Sequence, residues 1–105
     1  MLKKHTVLMP SWKGAELLKI SIPAILRSFR EDSELIVILN EADKESIEIC
    51  DENKVLSVKL EQNKGTGAID YAIPQIKGEY VTNINSDMIP SPGWDKNLIE
   101  IIEKY

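Results

Sequence analysis

Residues 83–94 read NINSDMIPSPGW and place one carboxylate, Asp87, behind Asn85 and Ser86 and ahead of a turn stiffened by Pro90 and Pro92. The run before it, GEYVTNI, has the pattern of a strand. A single acid at a strand end can hold a hard divalent cation, Mg²⁺ or Mn²⁺, while water and ligand phosphates complete the shell. A cation held in this way neutralises a diphosphate. Asn85 and Ser86 are of the right types to hydrogen-bond metal-bound water or a sugar hydroxyl. The alternative is that Asp87 caps the turn that leads to Pro90.

Three other groups of residues have types suited to ligand binding. Pro10, Ser11 and Trp12 follow the apolar run HTVLM. An exposed Trp12 there would stack on a nucleobase, with Ser11 and the loop backbone hydrogen-bonding it; the alternative is that Trp12 packs over the helix that follows. Asn40 and Glu41 end the run ELIVIL. They either read a base or ribose edge or cap the next helix. In QNKGTGA (62–68), Gly65 and Gly67 lack the fixed frame of three glycines after the first strand that marks a dinucleotide fingerprint, and the Walker A pattern is absent. Asn63 and Gly65 therefore read as shapers of a turn beside a pocket.

The elements that must position these residues alternate regularly. Strand patterns at 5–9, 34–39, 55–60 and 79–84 alternate with helical patterns at 14–30, 43–50, 66–77 and 91–105. Pro23 should kink or restart the first helix. Asp43 suits a helix N-terminus, Pro74 weakens the third helix, and Ser91 with Pro92 reads as an N-cap and first helical position. Four β–α units in a row predict an α/β fold: a Rossmann-like three-layer sandwich with a mostly parallel sheet of four strands in the order 3-2-1-4. Ligands of such sheets bind beyond the carboxyl ends of the strands, where the order reverses. The ends of strands 1 and 4 meet at that point, with Pro10-Ser11-Trp12-Lys13 after the first and Asn85-Ser86-Asp87 after the last.

The bulk numbers fit one domain, 1–105. The chain has 105 residues, 43% hydrophobic and 29% charged, and a net charge of −4. A chain of this size buries roughly 65% of its unfolded surface, enough for one core. The acidic balance argues against nucleic acid as a partner. No apolar run reaches the length of a membrane span, and no signal peptide is read before the first strand. Cys50 is the only cysteine and His5 the only histidine. Cys50 reads as a small buried apolar residue in a reduced, cytoplasmic setting, and His5 as a residue flanking the first strand.

Taken in order, VLMPSW, ELIVILNEAD, NKG and KGEYVTNINSDMIPSPGW resemble the N-terminal, nucleotide-sugar-binding half of the family 2 inverting glycosyltransferases, which have the GT-A fold. The resemblance covers nearly the whole chain and implies a truncated GT-A fold. It implies that Asn85-Ser86-Asp87 stands at the DxD-type motif and that Asp87 binds Mn²⁺ or Mg²⁺ and the donor diphosphate. It also implies that Pro10, Ser11 and Trp12 line the base pocket, with Asn40, Asn63 and Gly65 beside it. The implied partners are a nucleotide-diphosphate sugar and either a second copy of the chain or a complementing C-terminal half, which in this family supplies the acceptor pocket and the general base. This sequence departs from the pattern in three places. Asn85 stands where the first acid is usual, Leu39 or Asn40 where an acid often ends strand 2, and Asp70 where a basic residue is common. Two other readings compete. One is a truncated, non-catalytic binding or structural module. The other is a sugar-phosphate nucleotidylyltransferase, whose glycine-rich loop with a basic residue PSWKGAE lacks.

Overall fold

The computed structural model describes residues 5–29, 31–84 and 94–104. Strand β1 (His5–Trp12) leads to helix α1 (Ala15–Ser28), strand β2 (Ser33–Asn40), helix α2 (Lys44–Glu52) and strand β3 (Leu56–Lys59). A 3₁₀ helix (Gly65–Gln75), strand β4 (Tyr80–Asn83) and helix α3 (Trp94–Lys104) complete the order. The four strands form one sheet in the order β3-β2-β1-β4, with every neighbouring pair parallel. This is the order expected from the alternation of elements.

Sidedness follows from right-handed crossovers. The connections β1–β2 and β2–β3 move in one direction along the sheet, so α1 and α2 lie on one face. The connection β3–β4 returns past β1, and its 3₁₀ helix therefore lies on the other face. Each face has its own core, because successive strand residues point to opposite sides. Val7, Met9, Leu35, Val37 and Leu39 meet Leu18, Ile22 and Ile25 of α1 and Ile49 of α2. Leu8, Ile36 and Ile38 meet Ala68 and Ala72 of the 3₁₀ helix.

Three local features differ from the sequence expectation. First, β1 continues through Pro10, Ser11 and Trp12, which pair with Ile38, Leu39 and Asn40 of β2. A proline is tolerated there because, among the described residues, β4 pairs with β1 only as far as Leu8. The Ile84 amide donates to the Leu8 carbonyl, so the Pro10 backbone, two residues on, faces that same side beyond the β1–β4 pairing. Second, α1 runs as one element through Pro23, with Leu18, Ile22 and Ile25 fully buried along one stripe on both sides of the proline. Third, the segment expected as a helix over 66–77 is 3₁₀. Gly65 and Gly67 lower its α-propensity, and Pro74 removes a donor and crowds the carbonyl four residues back. The segment is long for this conformation, in which runs beyond about four residues are uncommon.

Asp43 caps α2 as expected, its carboxylate accepting from the Ser46 amide at 3.1 Å. Ser91 and Pro92, expected to open the last helix, lie outside the described residues, and α3 is described from Trp94.

The amino ends of the strands are tied by buried polar contacts. His5 is fully buried in β1, with Nε2 at 2.8 Å from the Thr82 hydroxyl and its ring edge-on to Trp94. Ser33 donates to the buried Asp95 carboxylate at 2.6 Å, and the Trp94 indole N–H donates to Ser28 at 2.8 Å. These bonds seat the first turn of α3 beneath β1 and β2. They lie at the opposite end of the sheet from Trp12, so His5 belongs to the scaffold.

Gly78, just before β4, is held against β1. Its amide donates to the Thr6 hydroxyl at 2.8 Å, and that hydroxyl donates to Glu34 at 2.7 Å. A Cβ at Gly78 would stand 2.5 Å from the Thr6 amide nitrogen. Gly78→Ala should therefore destabilise the chain by about 1–3 kcal/mol through overpacking, measured as a fall in the denaturant midpoint with unchanged slope.

Candidate nucleotide site

The pairing of β1 with β2 ends on Trp12 opposite Asn40, at the carboxyl ends of two adjacent parallel strands. The next residues, Lys13 and Glu41, both take φ of 50°, the left-handed conformation that ordinary residues avoid. Each such residue costs on the order of 1 kcal/mol, and strain of this kind is concentrated at functional sites. The two turns bring their side chains together. Trp12 is 52% exposed, and its indole N–H donates to Glu41 Oε2 at 3.1 Å. Lys13 Nζ lies 3.6 Å from the same oxygen and 5.0 Å from the Trp12 ring centroid. An exposed ion pair contributes little to stability. Its effect here is to fix the position of an aromatic plate, a cation and a carboxylate.

Asn40 is buried, and both ends of its amide are engaged. Oδ1 accepts from the Lys64 amide at 3.0 Å, and Nδ2 donates to the Gly65 carbonyl at 3.5 Å. Asn63 Oδ1 accepts from the Gly65 amide at 2.8 Å, closing an Asx turn. Gly65 has φ of 58°, which glycine adopts without strain. The Asn63–Lys64–Gly65 turn is thus fastened to the end of β2 beside Trp12. Ser11 is buried on the Met9 side of β1, and its hydroxyl has no hydrogen-bond partner among the described residues.

Of the residues singled out in the sequence, the structure brings Pro10, Ser11, Trp12, Asn40, Asn63 and Gly65 to one end of the sheet. Asn85, Ser86 and Asp87 lie outside the described residues. Ile84, the last described residue before them, bonds to β1 at Leu8 with an N···O distance of 3.0 Å. Lys13 was expected at the end of strand 1 and Glu41 at the end of strand 2, but their contacts with Trp12 and with each other were not. The available signal was that each is a charged residue immediately after a strand.

A shallow cleft of about 570 Å³ opens elsewhere, between α1 and α2. Its lining includes Glu16, Glu45, Glu48 and Glu52 with Lys19. That excess of carboxylates would repel a diphosphate.

The family model for glycosyl transferase family 2 matches residues 6–105. The chain belongs to that family. No curated protein matches it. Among solved structures, the glycosyltransferase fold is similar to that of TarS residues 1–349 from S. aureus, with a TM-score of 0.84 and 18% identity, covering 96% of this chain and 32% of that one. The mannosyltransferase PcManGT from Pyrobaculum calidifontis, in complex with GDP-Man and Mn²⁺, superposes with a TM-score of 0.83 at 17% identity over 95% of this chain and 32% of its own. Glucosyl-3-phosphoglycerate synthase from Mycobacterium tuberculosis, in complex with Mn²⁺, UDP and glucosyl-3-phosphoglycerate, gives a TM-score of 0.77 at 20% identity over 95% and 39%. This family 2 chain thus spans between about a third and two fifths of the length of these proteins.

Removing the Asn40 amide leaves the Lys64 amide without its acceptor. Asn40→Ala should release the 63–65 turn, with hydrogen exchange at the Lys64 amide faster by tenfold or more, ~1.4 kcal/mol, which is the size of one lost hydrogen bond. Amide exchange followed by NMR reads this directly, and exchange in the centre of β2 serves as the unchanged reference.

Proposed function

We propose that this chain is the nucleotide-sugar-binding part of an inverting family 2 glycosyltransferase, holding the donor for sugar transfer to an acceptor hydroxyl. The observation that carries the reading is the exposed Trp12 at the point where the strand order reverses, in a chain that belongs to this family. Proteins of the same fold in complex with UDP, or with GDP-Man and Mn²⁺, support it. Trp12 offers a plate for the base, and Pro10 and Ser11 set where that plate stands. Asn40 holds Asn63 and Gly65 as one wall of the pocket. Asn85, Ser86 and Asp87 bind the sugar diphosphate.

The metal contact rests on Asp87. Among the described residues no group of three His, Cys, Asp or Glu side chains could hold a metal ion. A single carboxylate with water and donor phosphates suits Mg²⁺ or Mn²⁺, which keep several non-protein ligands. When bound, the ion supplies neutralisation of the leaving diphosphate. The acceptor pocket and the general base are assigned to a complementing half or a partner chain. Among the described residues no helix is long and apolar enough to cross a membrane. Buried Cys50, whose thiol pKa is raised to about 11 by burial and then by Asp51, suits a reducing, cytoplasmic setting.

Calorimetric titration with UDP and GDP, with Mn²⁺ or with a chelator, tests this reading. Binding should be weak and metal-dependent, and Asp87→Ala should remove the metal dependence. Equal affinity in Mn²⁺ and in chelator would reject the metal role, and no binding of either nucleotide would reject the site.

The partner contact is proposed at β4, the end strand of the sheet, where Val81 is exposed, together with the outer face of α3, where Ile101 and Ile102 are exposed. An open strand edge beside apolar side chains favours pairing with another chain. Sedimentation over a concentration series should show self-association. A strict monomer at high-micromolar concentration would leave only the complementing half.

A further inference from the structure

Two ionisable side chains lie fully buried at the amino end of the sheet, His5 of β1 and Asp95 in the first turn of α3. His5 Nδ1 stands 3.8 Å from Asp95 Oδ2. That oxygen also accepts from the Ser33 hydroxyl at 2.6 Å, and Asp95 Oδ1 accepts from the Lys96 amide at 2.9 Å. The other ring nitrogen, Nε2, is 2.8 Å from the Thr82 hydroxyl. A carboxylate only accepts hydrogen bonds, whereas a threonine hydroxyl donates or accepts. Thr82 therefore serves a neutral or a charged ring equally, while the Asp95 side gains from a charged one. The other ionisable residues beside His5 are Tyr80, its register partner on β4, and Asp32, whose carbonyl accepts from the His5 amide at 3.4 Å. Asp32 is an acid like Asp95 and does not oppose a positive ring. The end of α1 brings uncharged Ser28 and Phe29 to this region, both against Trp94.

We propose that His5 and Asp95 form a proton-operated latch: a doubly protonated His5 ring ties the first turn of α3 to the sheet, and loss of one ring proton loosens it. Opposite charges buried side by side leave their pocket neutral, and deprotonating the ring withdraws the compensating charge. Burial alone disfavours a charged ring. The carboxylate outweighs that effect because it is buried in the same place, where the attraction between charges is little screened. A negative charge there also suits the N-terminus of α3. Protonation thus favours the folded arrangement. The tie is complete below the ordinary histidine range, near about pH 6.5, and is lost as pH rises past the point where the folded chain releases the proton. His5 is the only histidine, and burial pushes the Cys50 thiol up to about 11, so His5 is the side chain placed to respond between about pH 6 and about pH 9. What the latch governs is the seating of α3, whose outer face carries the exposed Ile101 and Ile102. It lies at the opposite end of the sheet from Trp12 and stands whether or not a nucleotide binds there.

NMR of the full chain over a pH series tests this, since a lone imidazole gives one set of ring signals. The ring should keep its second proton to at least about one pH unit above the ordinary histidine value. Amide exchange, corrected for its intrinsic pH dependence, should show α3 loosening. Protection at Ile99 should fall about tenfold relative to Val37 in the centre of β2 between about pH 6 and about pH 9. Asp95→Asn removes the charge and keeps the shape; it should bring the ring midpoint down by about one unit or more, a tenfold loss of proton affinity. His5→Gln should abolish the pH dependence of the Ile99-to-Val37 ratio. A wild-type ring that titrates at or below the ordinary histidine value, or a protection ratio equal at both ends of the series, would overturn the latch. So would an unchanged midpoint in D95N or a persistent pH dependence in H5Q. Should either variant not fold, the wild-type titration and exchange decide alone.

Discussion

The pairing of β1 with β2 is the constraint on which the rest of the structure depends. It runs in parallel register from His5 opposite Ser33 to Trp12 opposite Asn40. The buried residues of both strands face two separate cores, one under α1 and α2 and one under the 3₁₀ helix. A shift of one residue would exchange those two faces and strand apolar side chains on the wrong side. The register is therefore held from both sides at once. With it fixed, the two strands end level, and the turns that follow them have no choice but to meet.

That meeting has an electrostatic consequence. The chain carries a net charge of −4, and the cleft between α1 and α2 is acidic. A diphosphate would find little attraction in the general field of the protein, and binding has to come from local devices. In the proposed site these would be Lys13, the Trp12 ring and a metal contact at Asp87. Glu41 adds a negative charge at this end, but it is partnered by the indole N–H and Lys13.

The opposite end of the sheet supplies rigidity. His5, Thr82, Ser33, Asp95, Trp94 and Ser28 form a buried polar set that joins three strands and two helices. Buried polar groups of this kind are costly unless satisfied, and when satisfied they specify one arrangement. α3 begins immediately after residues 85–93, so the anchoring of Trp94 and Asp95 fixes where that connection must end, while Ile84 fixes where it begins.

Much of this was legible in the sequence. Continuous apolar runs such as ELIVIL mark strands buried on both faces, and their alternation with helical spacing implies parallel order and right-handed crossovers, hence the reversal point and the place of Trp12. Local chemistry also determined the Asp43 cap, because an N-cap needs only a side chain and the amides one turn ahead. The 3₁₀ conformation of 65–75 was only half visible, in Pro74 and the glycines. The length of β1 was hidden because Pro10 reads as a strand breaker unless the extent of the β1–β4 pairing, described as far as Leu8, is known. The bonds of Asn40 to Lys64, and of Trp12 to Glu41, join residues 24 and 29 positions apart. Such contacts depend on strand register and on turn conformation, and no local pattern encodes either. The sequence by itself determined which residues reach the end of the sheet; only the tertiary structure decided which of them spend their polar atoms on the scaffold, as Asn40 does on Lys64 and Gly65, since those bonds need strand ends and turns far apart in the chain to meet.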